Sequence, residues 1–184
     1  MPAGPFQTRR RRFRHRQINR APSPVLAAAL PWLSVMLLSL MTAATVVASA
    51  PLLPPLAFMA LLAWRMLRPG MLPVWAGLPL GAVDDLYSGQ PAGSAVLLWS
   101  AAMLALEPID RRLPWRGFLA DWALAGVLIA AYLGAAAGLA GWAGGGRWYP
   151  PSAPQLLLSV CAYPLVTRLV AALDRLRLLP LRIE

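Results

Sequence analysis

An all-α fold, a polytopic integral membrane protein built as a bundle of six transmembrane helices, is what this sequence predicts, and three observations predict it. First, 59% of its 184 residues are hydrophobic and only 13% are charged, with a mean hydropathy of +0.58. Soluble domains average about 25% charged and 45–50% apolar residues. Second, the charges are clustered. All 17 basic residues are arginine, against 7 acidic ones, and long uncharged stretches separate the clusters as they do in chains threaded repeatedly through a bilayer. Third, six crossings with the N-terminus inside place sixteen of the seventeen arginines on the inner side, leaving only Arg147 outside. Any odd number of crossings spoils that segregation.

The elements follow in order. Residues 1–23 form a polar cytoplasmic tail carrying Arg9, Arg10, Arg11, Arg12, Arg14, Arg16 and Arg20. Ala21 to Trp64 then runs 44 residues without a charge, enough for two helices of about 20 residues each. Pro51, Pro54 and Pro55 mark the break, because proline removes a donor and clashes inside a helix. The spans are therefore placed at 25–49 and 54–67. Arg65 and Arg68 lead into Pro69-Gly70. A third span at 72–86 and a fourth at 94–106 flank the Gly/Pro turn Ser88-Gly89-Gln90-Pro91-Ala92-Gly93. Both are short for a full crossing, so the turn is expected to dip into the membrane under the cover of other helices. Glu107, Asp110, Arg111, Arg112 and Arg116 form a mixed-charge loop. The fifth span is placed at 117–143, and Gly144 to Pro151 is a loop. The sixth span is placed at 154–173, with Arg168 snorkelling to the inner face. Residues 175–184 close the chain as a second cytoplasmic tail. Trp64 and Trp115 are expected at the inner interface and Trp148 and Tyr149 at the outer one.

Composition excludes several classes. Cys161 is the single cysteine and His15, in the tail, the single histidine. No internal disulfide, no metal site and no histidine-dependent triad is expected, so the reading is non-enzymatic, with no cofactor. The Arg run invites three readings: a nucleic-acid arm, a twin-arginine export signal, or a topology anchor on anionic lipid. Tethering to the bilayer argues against nucleic acid as a partner, and five further spans argue against export. An anchor gains about 1 kcal/mol per arginine near an anionic surface. Arg65, Arg68, Arg111 and Arg112 are read as anchors too. A cleaved signal peptide ending at Ala48-Ser49-Ala50 is the rival for the first span. Its apolar region is too long, since about 7–15 residues is usual.

Asp84 and Asp85 are the candidates for chemistry, because acids inside a membrane are expensive. Paired aspartates could hold a divalent cation and a phosphorylated lipid. That use wants a third acid one turn on, where Ser88 stands, and no arginine lies in the turn to hold a phosphate. The plainer reading is that the pair sits at the outer end of its span and caps the bend through free N–H groups. Gly77, Gly81, Asp85 and Gly89 recur at four-residue spacing, a smooth face for close helix approach. Gly126, Ala130, Gly134 and Gly138 form a second such ridge on the fifth span. Internal packing and docking of a partner's helix are both open for these faces. Cys161 is read as a small packing residue.

The segment Pro73 to Gly93 carries a pattern: Gly77-Leu78, Asp85-Leu86, Ser88-Gly89 and Gly93. It resembles the signature of the MreD family of bacterial rod shape-determining membrane proteins. Arg111-Arg112-Leu113-Pro114-Trp115 and Tyr163-Pro164 are also similar, as are chain length and six-span layout. Asp84 is additional to the commonest pattern. The resemblance implies an inner-membrane component of the cell-elongation machinery that binds MreC and helps organise sidewall peptidoglycan synthesis, with RodA, penicillin-binding protein 2 and MreB in the wider complex. It also implies a fold like the substrate-binding subunit of energy-coupling-factor transporters, which supplies the alternative of a small-molecule-binding transporter subunit. The spans offer few convergent polar groups to grip a polar vitamin.

Overall fold

The computed structural model describes residues 24–45, 53–113, 116–144 and 153–177. The Arg9 to Arg12 run, Trp115, Arg147, Trp148 and Tyr149 lie outside them. Six α-helices and no strand occur among the described residues: α1 Pro24–Thr45, α2 Leu56–Leu67, α3 Gly77–Tyr87, α4 Ser94–Arg112, α5 Phe118–Ala143 and α6 Ala153–Arg177. A single 3-10 turn, Val74–Ala76, leads into α3.

Helix α2 is the axis of the bundle. Its sequence is apolar on every side, as a helix surrounded by protein must be, and the nine residues from Ala57 to Arg65 are all buried. Pro54 and Pro55 set its start, where a missing N–H costs nothing, and the Met59 N–H donates to the Pro55 carbonyl. The Phe58 ring stacks on Tyr132 of α5 with centroids 4.3 Å apart and meets Trp99 of α4 at 6.0 Å. Trp64 is fully buried, and its indole N–H donates to the Ser34 hydroxyl of α1 at 2.9 Å. The sequence alone places Trp64 in an interfacial belt; the fold makes it core, because α2 is enclosed by α1, α4, α5 and α6.

The other helices face inward along one side and present leucine outward. Leu33, Leu37 and Leu40 of α1, Leu97 and Leu104 of α4, Leu119 and Val127 of α5, and Leu157 and Leu165 of α6 are all exposed. A water-soluble monomer rarely exposes apolar patches on this scale; a bilayer accepts them. α5 and α6, at 26 and 25 residues, are long and apolar enough to cross a membrane.

Several boundaries differ from expectation. α3 has only 11 residues, about 16 Å at 1.5 Å per residue, shorter than a bilayer crossing needs. α4 has 19 residues and continues through Pro108 to Arg112, so Glu107, Asp110, Arg111 and Arg112 lie on helix rather than in a loop. The arginines in its last turn sit favourably at the negative end of the helix dipole. Cys161 is exposed on α6, not packed inside.

Candidate functional site

The Gly/Asp segment builds a helical hairpin from α3 and α4. A Cβ placed on Gly77 would lie 2.8 Å from the Ser100 nitrogen. One on Gly81 would lie 2.8 Å from the Ala95 oxygen and from the Val96 nitrogen and Cα. The two backbones therefore touch where these glycines stand, the arrangement that small residues permit between membrane helices. One turn further on, the Asp85 carboxylate reaches across to the start of α4. Its Oδ1 accepts the Ala95 N–H at 2.8 Å and the Ser94 hydroxyl at 3.4 Å. Its Oδ2 accepts the N–H groups of Gly93 at 3.0 Å and Val96 at 3.1 Å.

Asp85 thus satisfies donors that the first turn of a helix leaves without intrahelical partners, and places negative charge at the positive end of the helix dipole. Gly93 holds φ +87° in this turn and Gly89 φ +66°, a backbone region that glycine enters freely. Gly89 lies beyond the end of α3, so it is a turn residue and not the fourth member of a helix face. Ser88 ends α3 and donates its N–H to the Asp84 carbonyl.

The two aspartates have different surroundings. Asp84 is buried at 8% exposure, beside Ser39 of α1, with Tyr132 of α5 within reach of its charge. No ion pair among the described residues includes it. Capping falls to Asp85 alone. Asp85→Ala is expected to destabilise the protein by about 2–3 kcal/mol, from lost charge-assisted hydrogen bonds and unpaired N–H groups. Asp85→Asn, which retains a single acceptor oxygen, should lose less. Thermal unfolding in detergent reads both.

Of the arginines read as anchors, Arg65, Arg68 and Arg111 form ion pairs. Arg65, with 5% of its side chain exposed, contacts Glu107 at 2.7 Å and Asp110 at 3.2 Å. Arg116 bridges Asp110 at 2.6 Å and Asp121 at 2.9 Å, and Arg111 joins Glu107 at 2.8 Å. Arg68 donates through Nε and NH2 to Asp174 of α6, which also meets Arg177 at 3.0 Å. The chain of charges ties the ends of α2, α4, α5 and α6 into one Arg-rich end of the bundle. Arg112 is exposed and enters none of these pairs. An arginine closing a 44-residue uncharged run needs a counter-ion if it is buried, and only the fold shows that Arg65 is buried.

The α5 ridge divides. A Cβ on Gly126 would rest at 3.7 Å from Val160 of α6, ordinary internal packing, and the Trp122 N–H donates to the Val160 carbonyl at 2.9 Å beside it. Ala130 is half-buried. Nothing lies within 4 Å of a Cβ on Gly134 or Gly138. Among the described residues no group of three or more His, Cys, Asp or Glu is placed to hold a metal ion.

Residues 25–171 match the protein family described as rod shape-determining protein MreD. The chain belongs to the MreD family. Neither a curated protein nor a solved structure matches it. Membership implies a role in rod-shape determination and a structural membrane protein. The match runs from α1 through most of α6 and takes in the whole hairpin. The MreD-like residues of that hairpin have separable tasks here. Gly77 and Gly81 bring α3 against α4, Asp85 holds the start of α4, and Gly89 and Gly93 turn the chain between them. Leu78 and Leu86 face outward, at 51% and 78% exposure.

Proposed function

We propose that this protein is a non-enzymatic component of the bacterial cell-elongation machinery, which binds the transmembrane helix of MreC and helps organise sidewall peptidoglycan synthesis. RodA, penicillin-binding protein 2 and MreB belong to the wider assembly. In this reading all six helices lie in the inner membrane, in a bundle like that of an energy-coupling-factor substrate-binding subunit, with both termini cytoplasmic. The short helices α2 and α3 are compatible with that, since backbone that does not span is tolerated where protein covers it. The inner side is the Arg-rich end, as the positive-inside rule requires.

The observation that carries the reading is the upper half of the α5 ridge. Gly134 and Gly138 stand one turn apart on a long apolar helix, and among the described residues no atom lies within 4 Å of a Cβ on either. The glycines of α3 are fully used inside the chain, and Gly126 is covered by α6. Open glycines at four-residue spacing let a second helix come close enough for backbone contact. The double substitution Gly134→Leu with Gly138→Leu is expected to leave thermal stability unchanged, since no atom stands in the way. Recovery of MreC from detergent extracts should fall about ten-fold, the loss of roughly 1.4 kcal/mol of association energy. Undiminished recovery with a folded double variant would overturn α5 as the docking face.

A further inference from the structure

At the Arg-rich end, where α2, α5 and α6 meet, lies a cavity of about 270 Å³. Ala63, Met66 and Leu67 form one wall, Phe118 and Trp122 a second, and Tyr163 and Thr167 a third, with Asp121 at the polar edge. For scale, an apolar cavity of about 150 Å³ already admits a guest the size of benzene.

The polar groups around this space are committed elsewhere. The Thr167 hydroxyl donates to the Tyr163 carbonyl at 2.9 Å, and the Trp122 N–H to the Val160 carbonyl. Asp121 is held by Arg116, and the Tyr163 hydroxyl donates to the Met66 sulfur at 3.3 Å. A buried water needs two to four polar partners, and a polar metabolite needs more. These walls suit hydrocarbon. Leu67 and Phe118, at 37% and 58% exposure, stand at the rim, so the cavity is reached from the side, where acyl chains lie.

Charge decides which amphiphile enters. Among the described residues the four carboxylates of this end, Glu107, Asp110, Asp121 and Asp174, are all matched by Arg65, Arg68, Arg111, Arg116 and Arg177. Arg168 enters none of these pairs. It is exposed, stands about 100° around the helix from Thr167 of the cavity wall, beside the opening rather than in the lining, and lies about two and a half turns inside the end of α6. An arginine at that depth extends its guanidinium toward the headgroup layer. We propose that this cavity holds one acyl chain of an anionic glycerophospholipid whose phosphate is met by Arg168.

Native mass spectrometry of the delipidated full chain in detergent, titrated with dioleoyl phosphatidylglycerol or dioleoyl phosphatidylcholine, tests this. One phosphatidylglycerol per chain should persist under activation that strips phosphatidylcholine. Arg168→Gln should weaken retention roughly five-fold, which corresponds to about 1 kcal/mol for one arginine at an anionic surface. Thr167→Phe, which narrows the cavity at its wall, should weaken it further. Absence of a retained lipid, equal retention of both lipids, or retention unchanged in Arg168→Gln overturns the proposal, as does unchanged retention in a folded Thr167→Phe. Should Thr167→Phe not fold, Arg168→Gln decides alone, because its exposed side chain carries no core packing.

Discussion

Gly81→Leu is expected to destabilise the protein by about 3 kcal/mol or more, the upper range of over-packing penalties, and with it to abolish any function that needs the hairpin. A Cβ at this position meets backbone atoms of Ala95 and Val96 at 2.8 Å. Backbone cannot rotate away as a side-chain tip can, so α3 and α4 must move apart to admit the new side chain. Separation also draws the Asp85 carboxylate away from the N–H groups it satisfies at Ala95 and Val96. Packing and capping would fail together. Gly81→Ala should already cost much of this, since the first added carbon makes the clash. A sharp fall in thermal midpoint in detergent checks the expectation. A midpoint matching that of Gly134→Leu, where the space is open, would show that the helices do not touch as described.

Arg65→Met is the second large effect, with a loss of about 3–5 kcal/mol, the cost of breaking a buried ion pair from one side. Methionine keeps the volume and the apolar stem but removes the charge between Glu107 and Asp110. Asp110 retains Arg116 at 2.6 Å, and Glu107 retains only Arg111, whose side chain is 76% exposed. Two helices, α2 and α4, thereby lose the bond that registers their ends. Arg111→Ala, by contrast, should cost no more than about 1 kcal/mol, as exposed pairs do. Adding Glu107→Met to Arg65→Met should recover part of the loss, because replacing both members of a buried pair is far less costly than replacing one. Thermal unfolding of the three variants gives the ordering. An Arg65→Met protein as stable as Arg111→Ala would mean that the buried contact contributes nothing.

The two aspartates show where sequence reasoning ran out. Their neighbourhood of glycine, serine and proline announced a capped turn, and Asp85 performs that task. Adjacent residues on a helix point about 100° apart, so only one of the pair can face α4. Which one depends on how α3 is rotated against its neighbour, and the glycines at positions 77 and 81 fix that rotation. Asp84 is turned toward α1 and α5. No local pattern tells these fates apart.

The arginines divide in the same way. Their segregation along the chain identified a membrane protein without reference to any contact, because crossing a bilayer is governed by hydropathy and charge alone. Whether each arginine anchors at lipid or clamps a carboxylate was hidden. Arg65 and Glu107 are 42 positions apart, and Arg68 and Asp174 are 106 apart. Only the arrival of α4 and α6, which run parallel to α2 and finish at the end where it stops, brings such partners together.

By itself the sequence determined an all-helical chain, the approximate positions of its helices, and the two small-residue faces, because these follow from residue-by-residue preference for lipid, water or a turn. Tertiary structure alone decided that α2 is the buried axis, that Trp64 is core, and that α4 continues through its charged segment. It also decided that the α3 glycines are consumed internally while Gly134 and Gly138 stay open. The physical reason is common to all four. Burial, close approach and ion pairing belong to the space between helices, and the set of neighbours filling that space is fixed only once every helix has taken its place.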